Sequence, residues 1–384
     1  MKLLVLNEAK HAIDASFVEQ RCAVTPVTVL RLTRMGLTVM VDKDAGALSG
    51  YPDAVFAEQG ATIVDADDML PEADIVLYVN RPLPTHLDKL KSNALVIGHI
   101  DPFFQQALVE NMAAKQLSAL SVEMIPRSSR AQKMDALSSQ ASLAGYVMMM
   151  QAANQLPGIL PMMMTPSGTI KPAKVFIIGA GVAGLQAIAT AKRLGANVLA
   201  YDTRPVVAEQ VESLGGKFLK IDIGETGQTK DGYAKELTEE QKAMLQDAQR
   251  DAIADSDIVI TTAQLFGRKP PVLISKNTLS LMKPGSVVVD MAAQSGGNVE
   301  GSVPGKVATI EGVTVIGTGH WSQRVARDAT DMYANNLLNL IDEFFDAESK
   351  QFVLNLEDEI LAQSVITHGG EITNSMLNNA YTGG

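Results

Sequence analysis

The run Val175-Phe-Ile-Ile-Gly-Ala-Gly-Val-Ala-Gly184 is followed about 20 residues later by Asp202, and this pairing decides the fold. An apolar strand over 174–178 delivers Gly179, Gly181 and Gly184 into a tight turn, and the Ala- and Leu-rich segment 185–194 then opens a helix. The first glycine allows the turn, the second lets backbone approach a pyrophosphate, and the third lets helix pack on strand. The phosphates would sit on free amides at the helix N-terminus. A second strand, 197–201, ends at Asp202, whose carboxylate can accept both hydroxyls of an adenosine ribose and would repel a 2′-phosphate. The motif therefore predicts a dinucleotide site that favours NAD over NADP. Arg204 complicates that choice, because a basic residue near the end of the second strand is how some NADP sites are built. With Asp202 first, Arg204 reads as a phosphate or ribose neighbour, or as a solvated charge.

Around this motif, 384 residues with 46% hydrophobic and 20% charged composition suffice for two well-cored domains. A formal charge of −11 without a basic stripe argues against nucleic acid or anionic lipid as a main partner. The single cysteine, Cys22, excludes an intrachain disulfide and fits a reducing compartment. The opening Met-Lys-Leu-Leu-Val-Leu-Asn-Glu reads as a first strand rather than a signal peptide, so a cytoplasmic protein is expected. The most apolar stretch, 143–164, is broken by Gln151, Asn154, Gln155, Pro157 and Pro161, and no membrane insertion is expected. Its methionine runs, 148–150 and 162–164, read as packed core.

Short β-branched runs alternate with segments of helical length, the pattern of a mostly parallel α/β protein. One series of strands falls at 2–6, 37–41, 75–79, 94–98 and 118–123, with Thr25 as N-cap and Pro26 as first residue of its opening helix. A second series begins at 174 and continues through 197–201, 218–221, 257–262, 286–290 and 313–317, the six strands of a dinucleotide domain. Residues 222–237 are polar and glycine-rich and read as an exposed loop, either a solvated insertion or a lid in which Tyr233 is the only aromatic. Met332, Leu337, Leu340 and Phe344 recur near helical spacing over 329–345, and short strands and turns follow from 351. The expected architecture is two Rossmann-like domains, with a dinucleotide domain (137–329) inserted in a discontinuous outer domain (1–136 and 330–384). Long helices around 130–155 and 329–346 would flank a cleft that receives the nicotinamide.

Within Arg127-Ser-Ser-Arg-Ala-Gln132-Lys-Met-Asp135-Ala-Leu-Ser138, residues Gln132, Asp135 and Ser138 step by three and would share one face of a helix. On such a face Gln132 and Ser138 can hydrogen-bond a carboxamide while Arg127 pairs with Asp135. The same spacing is also that of an ordinary first helical turn whose polar side meets water.

These segments together resemble the NAD(H)-binding component, the first portion of the alpha subunit, of the proton-translocating nicotinamide nucleotide transhydrogenases. The resemblance covers nearly the whole chain and is carried by Arg127–Ser139, Gly179–Gly184, Asp202-Thr-Arg-Pro205, Glu209–Ser213, Gly232-Tyr-Ala-Lys235, Lys283-Pro-Gly285 and Asp290–Asn298. It implies that Arg127, Gln132, Asp135 and Ser138 surround the nicotinamide ring. It also implies a cofactor-binding set of Gly179, Gly181, Val182, Gly184, Asp202, Thr203, Arg204, Tyr233, Ala263 and Gln264, with the Tyr233 loop closing over bound nucleotide. The resemblance further implies a homodimer that passes hydride to NADP held by a separate domain, in a complex with a membrane-embedded proton channel. The component would then lie peripheral to the inner membrane through its partners.

Alanine dehydrogenase is similar in build and must also do acid–base chemistry on an amino or keto group. Its lysine position falls on Asn80 and its aspartate position on Gln294, whereas His99 and Arg21 match its histidine and substrate-binding arginine. An amino- or keto-acid oxidoreductase using Arg21 and His99 is the alternative, and a non-catalytic NAD(H)-binding paralogue is a third. The chain departs from the transhydrogenase pattern at 7–11, 263–269 and 317–324, where partner docking and nucleotide affinity would be affected. Trp321, in the last of these, reads as an interface anchor or as a core aromatic.

Overall fold

The structure, a computed structural model, describes residues 1–10, 17–221, 238–265 and 267–382. They form two compact units, one of Met1–Gln140 with Ser322–Gly384 and one of Ala141–Trp321.

The first unit grows from β1, Lys2–Val5, in which Leu3, Leu4 and Val5 are wholly buried. A strand buried on both faces must be apolar at every position, not every second one, which is why it reads as a run. Strands β2 (Thr38–Asp42), β3 (Thr62–Val64), β4 (Ile75–Leu77), β5 (Leu95–Gly98) and β6 (Ser118–Ser121) join it in the parallel order β3-β2-β1-β4-β5-β6. This is the doubly wound order, with the chain starting in the middle and building outward on each side in turn. The short β3 is not among the expected strands. The helix Pro26–Arg34 begins as expected: Thr28 donates its amide to the Thr25 hydroxyl and takes the Thr25 amide on its own, closing a capping box.

The second unit opens with an antiparallel hairpin, β7 (Met163–Thr165) and β8 (Gly168–Ile170). The expectation that 162–164 is packed core is wrong: Met162, Met163 and Met164 are exposed, as is Ile170, because a two-stranded ribbon with no third strand leaves both faces bare. Met148 and Met149 are buried as expected, while Met150 faces out. Strands β9 (Lys174–Ile178), β10 (Asn197–Tyr201), β11 (Lys217–Phe218), β12 (Ile258–Thr261), β13 (Val287–Asp290), β14 (Val307–Ile310) and β15 (Val313–Ile316) make a sheet in the order β11-β10-β9-β12-β13-β15-β14. Six of these are parallel and repeat the doubly wound order; β14 adds an antiparallel edge that periodicity did not signal. Phe176, Ile178, Val259, Val288 and Val315 fill the core between this sheet and its helices. Trp321 is 5% exposed and donates its indole N–H to the Met291 carbonyl (3.4 Å), so it is a core aromatic.

After Trp321 the chain rejoins the first unit. The helix Ala326–Phe344 buries Tyr333, Leu337, Leu340, Ile341 and Phe344, whereas Met332 points outward. Cys22 donates its amide to Thr330 (3.0 Å) and Tyr333 donates its hydroxyl to the Tyr78 carbonyl (2.6 Å), tying this helix to the N-terminal sheet. A hairpin of β16 (Phe345–Asp346) and β17 (Gln351–Phe352) follows, and β18 (Val365–His368) and β19 (Glu371–Ile372) then extend the sheet antiparallel beyond β6. Among the described residues no helix is long and apolar enough to cross a membrane.

Candidate dinucleotide-binding site

The turn between β9 and the helix Val182–Arg193 is shaped as the three glycines require. Gly179 has φ +99°, a left-handed conformation reserved for glycine, and donates its amide to the Tyr201 carbonyl (2.8 Å). A Cβ at Gly184 would fall 1.8 Å from the Gly179 carbonyl oxygen, so helix and turn touch only because neither carries a side chain there. A Cβ at Gly181 would meet no protein atom within 4 Å, so this is the open side of the turn. Gly181 caps the helix without a side-chain hydrogen bond, and the first helical amides, from Val182 onward, point out of the helix end unpaired by it. Free N–H groups and the positive end of a helix dipole face open space, the arrangement that holds an anion.

Asp202 follows β10 beside this turn. Its carboxylate accepts the Ala180 amide (2.8 Å) and the Arg204 amide (2.9 Å), and Arg204 adds its Nε (2.9 Å) and an Nη (3.0 Å). Burial opposes ionisation, but the guanidinium and the two amides outweigh it and hold the carboxyl below its ordinary value. Arg204 is therefore an ion-pair partner of Asp202, a role that residue order does not signal. Thr203 is exposed between them.

On the other side of β9, Thr262 ends β12 and donates its hydroxyl toward the Ile178 (3.2 Å) and Gly179 (3.0 Å) carbonyls, fixing the strand ends together. Ala263 is half-buried and Gln264 exposed. The Ala263 carbonyl accepts the side-chain amide of Asn298, which a buried Asp290 holds through backbone amides. Thr262 and Asn298 are not among the site residues expected from sequence; the paired Thr261-Thr262 and the Gly-Gly-Asn segment after β13 were the available signals. Tyr233 lies outside the described residues.

In the first unit, Gln132, Asp135 and Ser138 do not share one helix face. Gln132–Met134 forms a 3-10 turn, Asp135 breaks it with ψ 87°, and the α-helix Ala136–Gln155 starts afresh. Asp135 is the N-cap of that helix, accepting the Ser138 amide (2.8 Å) and hydroxyl (2.5 Å). Its carboxylate is thus committed to Ser138, and Arg127 forms no ion pair with it; Arg127 and Gln132 are exposed. The structure brings Asp135 and Ser138 together and leaves the other two side chains in solvent.

Arg21 and His99, the residues of the dehydrogenase alternative, sit in a buried polar cluster. Arg21 grips Glu19 with Nε (2.8 Å) and Nη2 (2.8 Å) and donates its other Nη to Gln140 (2.9 Å) and Ser322 (3.3 Å). Asn80 bridges the two carboxylates, donating to Glu8 (3.0 Å) and Glu19 (2.8 Å). Burial and the neighbouring Glu19 charge push the Glu8 carboxyl up to about 7, against the pull of the Val79 and Asn80 amides. Burial also acts on Glu19, but Arg21 overrides it and brings that carboxyl down to about 2. His99 meets the Val79 carbonyl through Nδ1 (2.8 Å) and stacks on Tyr333, and burial lowers its pKa. An arginine already saturated by an internal carboxylate is a poor receptor for a substrate carboxylate.

Fold and site together define a doubly wound α/β protein whose second unit carries a dinucleotide-type glycine turn with an acid at the end of the next strand. Comparisons with known proteins narrow this. Residues 8–144 match the model of the alanine dehydrogenase/PNT N-terminal domain and residues 148–375 that of the alanine dehydrogenase/PNT C-terminal domain. The chain is 41% identical over 367 residues to the first of the two chains that make up the NAD(P) transhydrogenase alpha subunit of Rhodospirillum rubrum, covering 94% of this chain and 96% of that one. It is 38% identical over 354 residues to the NAD(P) transhydrogenase subunit alpha of Haemophilus influenzae, covering 92% of this chain and 69% of that one. A solved transhydrogenase from Sinorhizobium meliloti superposes with a TM-score of 0.84 at 37% identity, covering 98% of this chain and all of that one. An L-alanine dehydrogenase structure superposes at 0.82 with 24% identity, a likeness of fold alone. The chain belongs to the alanine dehydrogenase/PNT family, on its NAD(P) transhydrogenase alpha-subunit side.

Proposed function

We propose that this chain is the NAD(H)-binding component of a proton-translocating transhydrogenase and passes hydride between NAD(H) and NADP(H) held by a partner domain. The observation that carries this reading is the open space over Gly181, where uncapped amides lie beside the Asp202 carboxylate. Amides from Val182 onward hold the pyrophosphate, Asp202 takes the adenosine ribose hydroxyls, and Ala263 and Gln264 border the other half of the dinucleotide. Arg127, Gln132, Asp135 and Ser138 address the carboxamide, and the segment with Tyr233 covers the nucleotide. When bound, the nicotinamide supplies the hydride chemistry. Transfer between two such rings draws no proton from the protein, so the chain's task is to position and to exclude water. A buried cluster of mutually satisfied groups around Arg21 and His99 suits this better than amino-acid oxidation, which needs a free receptor and a general base.

The exposed Met162, Met163, Met164 and Ile170 of the β7–β8 hairpin support a homodimer, because such apolar ribbons are rarely left in water. Further partners are the NADP(H)-binding domain and a membrane-embedded proton-channel domain. The chain does not itself insert into the bilayer and resides in the cytoplasm, peripheral to the inner membrane through those partners.

Calorimetric titration with NADH and with NADPH, on wild type and Asp202→Ala, tests the site; hydride transfer with an added NADP(H)-binding domain tests the activity. NADH preference that weakens in the variant, and turnover only with the partner domain, are expected. Equal binding of both nucleotides, or turnover of alanine or pyruvate by the chain alone, would sink the reading.

A further inference from the structure

We infer that Asn298 is a positioning residue that sets the nicotinamide half of the nucleotide site by clamping the loop after β12; this rests on the dinucleotide reading above. Its side-chain amide donates to the carbonyls of both Ala263 (3.0 Å) and Pro271 (2.8 Å), the two ends of a short excursion in which Leu265 and Arg268 pair back on each other. Asn298 is wholly buried, and its own carbonyl accepts the amides of Leu273 (2.7 Å) and Ile274 (3.0 Å), so the strand leading out of the excursion is held by the same residue. Its amide is in turn fixed by both oxygens of Asp290 at the end of β13 (3.0 and 3.1 Å). One residue thus ties the ends of β12 and β13 to both feet of the loop.

The two acceptors are carbonyls, so only an NH2 group can face them, and the orientation of the amide is settled by its partners. That leaves Oδ1 buried with no hydrogen-bond partner. A buried unsatisfied acceptor works against stability, so the donor pair on the other side is what this side chain contributes. The sheet order locates the effect. Asp202, on the ribose of the adenosine, follows β10, whereas Ala263 follows β12, and β9 with the glycine turn lies between them. A dinucleotide stretched across this switch point places its adenosine over β10 and its nicotinamide riboside over β12 and β13. Shifting the feet of the loop therefore moves the wall of the nicotinamide half and leaves the adenosine half intact.

The experiment is titration of the full chain with NADH and, separately, with ADP, which carries only the adenosine and phosphate half. Asn298→Asp keeps the shape but turns an oxygen toward the two carbonyls; it is expected to weaken NADH about tenfold and leave ADP within about twofold. Asn298→Ser removes the NH2 group and is read the same way if the aspartate variant fails to fold, with far-UV circular dichroism as the check. Equal weakening of both ligands, or none of either, would overturn the positioning role. Wild type that binds neither ligand would overturn the nucleotide reading itself, whereas wild type that binds both and variants that match it would overturn only the role of Asn298.

Discussion

Arg204 fills the Asp202 carboxylate: its amide and Nε reach one oxygen and an Nη the other, and with the Ala180 amide all four acceptor positions are taken. Ribose hydroxyls can reach this acid only by displacing the guanidinium, and a 2′-phosphate approaching it meets a neutralised pair rather than a bare charge. The arginine therefore blunts the discrimination that the aspartate provides.

Arg204→Ala should sharpen that discrimination. NADH is expected to bind about threefold to tenfold tighter and NADPH to weaken by a similar factor, as the exposed carboxylate becomes a free acceptor and an uncompensated charge. Titrating both nucleotides reads the ratio; an unchanged ratio would mean that the pair plays no part in selection.

The glycines of the turn separate stability from binding. At Gly184 an added Cβ collides with the Gly179 carbonyl oxygen at 1.8 Å, so Gly184→Ala is expected to cost about 3 kcal/mol or more of stability, or to prevent folding. At Gly181 a Cβ enters open space at ordinary φ, so Gly181→Ala should unfold within about 0.5 kcal/mol of wild type while weakening NADH by on the order of a hundredfold. Denaturant melts and titration read the two effects. Tight NADH binding by Gly181→Ala would place the pyrophosphate elsewhere.

Glu8 makes stability depend on pH in an unusual direction. Its folded-state carboxyl lies at about 7, above the ordinary value of 4.5, so its contribution is fully present below 4.5 and is lost as pH rises through 7. Unfolding free energy should fall across that window by up to about 3 kcal/mol, and Glu8→Gln should flatten the slope. Urea melts between pH 5 and pH 8 check this; the same slope in the variant would assign it to another group.

Asp135 offers a way to divide a structural role from a functional one. Asp135→Ala removes the N-cap of Ala136–Gln155 and should cost about 1 kcal/mol, whereas asparagine caps as well as aspartate and should cost almost nothing. Loss of hydride transfer to the partner domain in Asp135→Asn, with stability retained, would give the carboxylate a part in nicotinamide binding. Full transfer by that variant would confine it to the cap.

Most of the doubly wound architecture is legible because its strands are continuous apolar runs, and the glycine turn because three positions with distinct steric demands recur in fixed order. Other features depend on contacts that sequence spacing does not encode. A three-residue step looks the same whether the backbone stays helical or breaks, so the capping geometry of Asp135 is invisible until ψ at that residue is known. Methionine counts as apolar in a run, and only the absence of a third strand shows that Met162–Met164 stands in solvent. Arg204 could be placed near the site but not on Asp202, since side-chain direction around a turn follows from its dihedrals rather than from residue order. The first unit shows the converse: it repeats the strand order of the second, yet its opening helix has its end closed by Thr25 and Thr28, so topology alone would have suggested two nucleotide sites.

The discontinuity of the first unit sets an order of assembly. During synthesis the whole of Ala141–Trp321 leaves the ribosome before the residues of β18 exist, while β6 must wait some 245 residues for that strand, since Leu120 pairs with Val365. The inserted unit can therefore close first, with the sheet of the other left as an exposed edge at β6 until the C-terminal segment arrives. A nascent chain halted with residue 321 clear of the exit tunnel should already protect the inserted unit from protease, and cleavage throughout both units at that stage would show that the two halves fold only together.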